Sequence, residues 1–178
     1  MSKLMVLEAF KTFTEKNIAN TIKLKKPYDD DYSRFELVNP SVHTGWIPPN
    51  GLLPPDLESN IPCIVIGCDN ADTDDKESSI SMKLSFAVYS PGNHYIVDGE
   101  MKYTPDFQGY VDLMNTMERT EQELLRKRFI ENKAVVELPV TLGMYQDPPP
   151  YPYWYGFMTF TAKSSCTHYT EDIYSQYL

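Results

Sequence analysis

The chain is poor in the residues that most enzyme chemistry needs. Three cysteines (Cys63, Cys68, Cys166) stand among 178 residues; an odd number, too few for a disulfide framework, points to a reducing compartment. The eight glycines form no phosphate-cradling loop: Gly67 and Gly99 stand alone, and no Gly-Lys-Ser/Thr follows a strand. Basic residues number 16 against 25 acidic ones, a net charge of −9. That balance excludes the usual electrostatic nucleic-acid binder, which needs a face rich in lysine and arginine. It also argues against binding to anionic membranes. No stretch approaches the ~20 apolar residues of a membrane span, and Lys3, Glu8 and Lys11 interrupt a signal-peptide reading of the N-terminus. The three histidines (His43, His94, His168) fall in separate loop-like segments, none with an HExxH or nucleophile-elbow context.

What is present reads as one globular domain, with 42% apolar and 23% charged residues. Proline divides the chain. Seven of the 14 prolines lie between Pro27 and Pro62, marking a proline-rich excursion over 27–60. The proline-free windows 1–26, 63–90 and 106–138 should then hold most regular structure. Leu4, Leu7, Phe10, Phe13, Ile18 and Ile22 make a helical stripe over Lys3 to Asn20. Ile61 to Cys68 is a short β-branched run of the kind buried on both faces of a sheet. Ile80, Met82, Leu84, Phe86 and Val88 alternate with Ser81, Lys83, Ser85 and Tyr89, the period of a strand.

Thr104, Pro105 and Asp106 read as the start of a long helix over 105–131. Its buried side is expected to be Tyr110, Val111, Met114, Met117, Leu124, Leu125 and Phe129. Val136 to Met144 alternates with Pro139 on the opposite parity, which makes it an edge strand or a bulged one. A last strand spans Trp154 to Ala162, and 163–178 reads as a polar, flexible tail. The fold class expected is α+β: a mixed or antiparallel sheet of about four strands, centred on Ile64 to Cys68 and Ile80 to Val88. The N-terminal helix and the long central helix pack on one of its faces.

Candidate chemistry is sparse. The run Asp69 to Glu77 fails as an EF-hand loop in both frames. Starting at Asp72, Glu77 takes the sixth position and Lys83 the twelfth; starting at Asn70, these are Asp75 and Ser81. A solvated hairpin loop is the simpler reading, and no metal or cofactor is expected. Cys63 and Cys68 are five residues apart, outside zinc-knuckle spacing and of opposite parity on a strand; buried structural thiols are the expectation. The unusual feature is aromatic: Tyr145, Tyr151, Tyr153, Trp154, Tyr155 and Phe157. A nucleic-acid stacking platform interleaves such rings with Arg and Lys, yet Tyr145 to Ala162 contains no basic residue. A subunit interface through Tyr151, Tyr153, Trp154 and Tyr155, core packing, and ligand stacking are the three readings, in that order.

The order of segments carries a resemblance. Gly-Trp-Ile-Pro-Pro (45–49) and Ile-Pro-Cys-Ile-Val-Ile-Gly (61–67) are followed by Val-Tyr-Ser-Pro-Gly (88–92) and Gly-Tyr-Val-Asp-Leu-Met-Asn-Thr-Met-Glu-Arg (109–119). The closing segment is Gln-Asp-Pro-Pro-Pro-Tyr-Pro-Tyr-Trp-Tyr-Gly-Phe (146–157). Together, over Leu52 to Ala162, these resemble the tail terminator (tail-completion) proteins of siphophages and prophages. The resemblance implies a non-catalytic subunit that forms a ring, often a hexamer. It implies tail-tube and head–tail connector proteins as partners, and a passage from the host cytoplasm into the virion tail. A non-viral adaptor domain is the alternative, and an unrecognised hydrolase a more distant one.

Overall fold

The computed structural model describes residues 2–28, 31–45, 61–74, 76–145 and 151–165. Helix α1 (Lys3–Asn17) leads through a 3-10 turn (Ala19–Thr21) into the hairpin β1 (Leu24–Tyr28) and β2 (Asp31–Val38). Then come β3 (Ser41–Thr44), β4 (Cys63–Thr73), β5 (Glu77–Tyr89), and a second hairpin, β6 (Asn93–Val97) and β7 (Glu100–Thr104). Helix α2 (Gln108–Arg126), β8 (Phe129–Ile130), β9 (Ala134–Met144) and β10 (Tyr153–Ser165) complete the order.

Six strands form the main sheet in the order β3-β4-β5-β10-β9-β8; each hairpin is a separate two-stranded sheet. The α+β class therefore holds, with more strands than the four expected. The sheet centres on β5 and β10, paired over their full lengths from Tyr153↔Tyr89 to Ser165↔Glu77, rather than on β4 and β5. Among the described residues only β3 pairs in parallel, against the start of β4.

Residues of both helices share one buried cluster with the sheet. Ile64, Ile66, Ile80, Met82, Leu84, Phe86, Met158 and Phe160 of the sheet join Val6, Phe10, Phe13, Leu113, Met117 and Leu124 in one buried cluster. Each such side chain, taken fully from water, contributes about 1.5–3 kcal/mol. Phe10 of α1 packs tilted on Phe160, ring centroids 5.4 Å apart. Cys63, Val65 and Ala87 form a small buried cluster apart from this core, so the start of β4 is buried on both faces as its composition indicated.

Several boundaries and faces differ from expectation. The excursion is not structureless: Pro27 lies in β1, and 31–44 supplies β2 and β3; 46–60 lies outside the described residues. Residues 163–165 extend β10 instead of starting a tail, and 166–178 lies outside the described residues. Helix α1 buries Val6 and Ala9 while Leu4 is exposed, rotating the expected stripe. Helix α2 starts later, because Thr104 ends β7 and the carboxylate of Asp106 accepts the Gln108 N–H at 2.8 Å. Its buried side is Gly109, Leu113, Thr116, Met117, Thr120 and Leu124; Tyr110, Val111, Leu125 and Phe129 are exposed. The threonines are tolerated inside because their hydroxyls donate to the carbonyls one turn back, at 2.7 Å to Asp112 and 2.8 Å to Thr116.

Pro139 sits where the pattern placed trouble. Glu137 pairs with Thr161 and Thr141 with Thr159, so Leu138, Pro139 and Val140 oppose Phe160 alone. That bulge absorbs the missing proline donor.

Candidate subunit interface

Strand alternation divides the aromatic run. Trp154 faces the helices: its Nε1–H donates to the Ser90 carbonyl at 3.1 Å, and its ring meets Phe107 edge-on at 6.3 Å. It lies directly against Gly109 of α2, where a Cβ would fall inside the indole. Trp154 thus belongs to an intramolecular joint. Tyr153 and Tyr155 alternate with it and turn to the other face. There Tyr153 contacts Tyr89, centroids 5.5 Å apart, and Tyr155 packs on the Cys63, Val65 and Ala87 cluster. Burial pushes the Tyr155 phenol above its ordinary range, with Tyr153 and Cys63 adding to it. Tyr151 precedes the strand, is 46% exposed, and donates its hydroxyl proton to the Pro91 carbonyl. Of the four candidates it offers the most free ring surface.

The same face of the sheet carries a second aromatic group. Tyr145 meets Phe157 edge-on at 5.3 Å, and Lys83 Nζ lies 5.2 Å from the Phe157 centroid and 5.8 Å from that of Tyr145. Ser85 Oγ and the Tyr145 hydroxyl are 2.9 Å apart. Gly143, paired across from Phe157, makes room for this ring: a Cβ there would lie 2.5 Å from Phe157 Cζ.

The two hairpins pack on each other through rings. Tyr32 meets Tyr103, and Phe35 meets His94, edge-on. The His94 nitrogens lie 2.9 Å from the Tyr32 carbonyl and 3.1 Å from that of Gly92. Lys25 anchors the pair to the body, donating to the Gly92 carbonyl at 2.8 Å and lying over Phe35. Its burial lowers the ammonium pKa against the raising influence of Asp112 and Asp106. Beyond these contacts large apolar side chains are exposed: Ile96 at 70%, Phe107 at 79% and Leu37 at 56%. A sequence signal for the second hairpin existed. Asp98-Gly99 has positive φ at both residues, 53° and 83°, as a two-residue hairpin turn demands.

Both flanks of the sheet are open among the described residues. β3 pairs with β4 only from Cys63 to Ile66, leaving the outer edge of β4 from Cys68 onward without a strand. β8 pairs with β9 only at Ala134 and Val135. The Arg128 guanidinium then donates to the Val136 carbonyl, and the rest of β9 is an edge.

Among the described residues no thiol is hydrogen-bonded to an imidazole. Burial pushes the Cys63 thiol up to about 12, the opposite of an activated nucleophile. Cys68 is exposed rather than buried, which corrects the expectation of a structural thiol there; Cys166 lies outside the described residues. Among the described residues no group of three His, Cys, Asp or Glu side chains could hold a metal ion. His43 lies on β3 and His94 on β6 rather than in loops; His168 lies outside the described residues. The acidic run mostly belongs to the outer end of β4, and Asp74 accepts the Lys76 and Glu77 N–H groups in the turn that follows.

No helix among the described residues is long and apolar enough to cross a membrane. No protein-family model and no curated protein matches the chain.

Proposed function

We propose that the chain is a structural assembly subunit that closes into a ring, acting as a tail terminator or head–tail joining protein of a siphophage or prophage. The observation that carries this reading is the unfinished sheet. Its helices cover one face, and both flanks carry unpaired strand edges among the described residues. Edge strands are templates for another chain, and a head-to-tail contact between unlike flanks generates a ring when its rotation closes. Exposed Tyr151, Ile96 and Phe107 supply further apolar contact area. In this reading the subunit has no catalytic role. Its partners are its own copies, the tail tube and the head–tail connector, met first in the host cytoplasm and then in the virion.

Sedimentation velocity across protein concentrations, alone and with purified tail tubes, tests it. Discrete closed oligomers, or a ring bound to tube ends, are expected; a monomer under every condition refutes the proposal. A second reading rests on the same open edges: an adaptor that captures an extended peptide as an added strand. It predicts a 1:1 complex with no self-association.

A further inference from the structure

The two open flanks carry opposite charge. On one side, the outer end of β4 exposes Asp69 and Asp72, and among the described residues no strand lies beside that stretch of edge. Asp69 is the extra residue of a bulge, since Cys68 pairs with Met82 and Asn70 with Ser81. The bulge shifts side-chain parity, so Ala71 turns to the core while Asn70 and Asp72 share the uncovered face with Ser81 and Ser79.

On the other side lies a recess of about 400 Å³ lined by Lys76, Glu77, Phe129, Lys133, Val135 and Lys163, among others. The register explains it. β10 leaves β9 after Lys163↔Val135 but stays with β5 to Ser165↔Glu77, so the strands part and a gap opens. Its floor is apolar, with Phe129 59% and Val135 41% exposed. Lys163 is engaged within the subunit, 2.6 Å from Glu77 and 3.2 Å from Glu137. Lys76 and Lys133 have no ion-pair partner among the described residues. The acidic flank and this recess lie toward the same end of the sheet, with β4 and β9 three strand spacings, about 14 Å, apart.

We propose that the acidic outer edge of β4 in one copy seats against the lysine-lined recess between β9 and β10 in the next. This rests on the ring reading above and names its joint. The contact is heterologous, because each copy offers one acidic and one basic flank, and it therefore propagates from copy to copy, into a ring when its rotation closes. Asp72 and Asp69 meet Lys133 and Lys76, while the apolar floor loses water to the incoming strand. Repulsion between whole subunits at −9 makes association strengthen with salt. A joint built on opposed charges makes it weaken, as screening shortens from about 30 Å at 0.01 M to 8 Å at 0.15 M.

The test uses the full chain in sedimentation velocity from 0.02 to 0.5 M NaCl, as wild type, Asp72→Lys, Lys133→Glu and the double variant. Asp72 is exposed and Lys133 half-exposed, and unchanged melting curves verify that each variant folds. Each single reversal should weaken association about tenfold, the scale of an exposed pair turned from attraction to repulsion. The double variant should recover it with the charges exchanged. An equimolar mixture of the single variants should also recover association, with the two copies alternating, since each edge then meets a recess of opposite charge in the other variant. Single variants that assemble like the wild type, a double variant that is not rescued, or association strengthened by salt would each overturn the joint while leaving the ring. A wild type that never associates overturns both.

Discussion

Gly109→Ala is the sharpest perturbation of the packing that fixes Trp154. The new methyl group would occupy the space of indole atoms Nε1, Cδ1 and Cε2, so the ring must leave. Overpacking of this kind costs about 1–3 kcal/mol. A displaced ring also forfeits its hydrogen bond to the Ser90 carbonyl, worth about 1 kcal/mol, and its edge contact with Phe107, about 0.5–1.5 kcal/mol. Working the other way, alanine improves on glycine in a helix by about 1 kcal/mol. The balance is a loss of about 3 kcal/mol, read as a lower urea midpoint at constant slope. Trp154→Phe provides the control: its smaller ring leaves room for the methyl. The double variant should then lose less than the sum of the two single changes, by about 1 kcal/mol or more. A neutral or stabilised Gly109→Ala, or strictly additive losses, would refute the assignment of Trp154 to this joint.

Two further outcomes follow from burial. Leu84, fully buried at the centre of the core, should lose about 2–5 kcal/mol on truncation to alanine. Lys83→Ala, which removes only an ammonium lying over Tyr145 and Phe157, should lose less than about 1 kcal/mol; equal losses in urea titration would contradict the faces of β5. The thiols should also separate: at pH 8 the native protein should be alkylated at exposed Cys68 and spared at Cys63, read by peptide mass spectrometry. Cys63 and Tyr89 are each pushed up to about 12 by burial, from ordinary values of 9.0 and 10.0. The unfolded chain therefore releases these protons first. Stability is whole below pH 9 and falls as pH rises from 9 towards 12. Cys63→Ala should flatten that decline, and a urea midpoint unchanged between pH 9 and 11 would refute it.

Legibility in the sequence followed whether one force acted alone. In β5 the alternation of Ile80, Met82, Leu84 and Phe86 with Ser and Lys is set by a single contrast, buried core against a half-exposed face, and the strand could be read directly. Pro139 likewise announced a bulge, because a missing donor has few other places in a sheet. In α2 two forces competed. Counting apolar residues drew Tyr110, Val111 and Leu125 into the core, whereas Thr116 and Thr120 occupy it by bonding their hydroxyls to the preceding turn. The aromatic segment was legible as unusual but not as divided, because strand parity sends Trp154 to the helices and its neighbours to the opposite face. The hairpins β1–β2 and β6–β7 escaped because each is short and gains its packing from the other. Their main local signal was Asp98-Gly99. The opposed flanks escaped as well, since a net charge of −9 conceals where the charges lie.

The bulge at Phe160 also governs which changes in chain length β9 can bear. Three residues there stand opposite one, so the strand carries a surplus of two, a full period of side-chain alternation. Val136 and Leu142 consequently point the same way on either side of it. Removing two residues restores a regular ladder without exchanging the faces, whereas removing one sends every following side chain to the wrong side. The single-residue bulge at Asp69 behaves in the opposite sense. There one residue is the whole surplus, so deleting it closes a regular ladder that keeps Ala71, opposite Ile80, on the core face and Asp72, opposite Ser79, on the other.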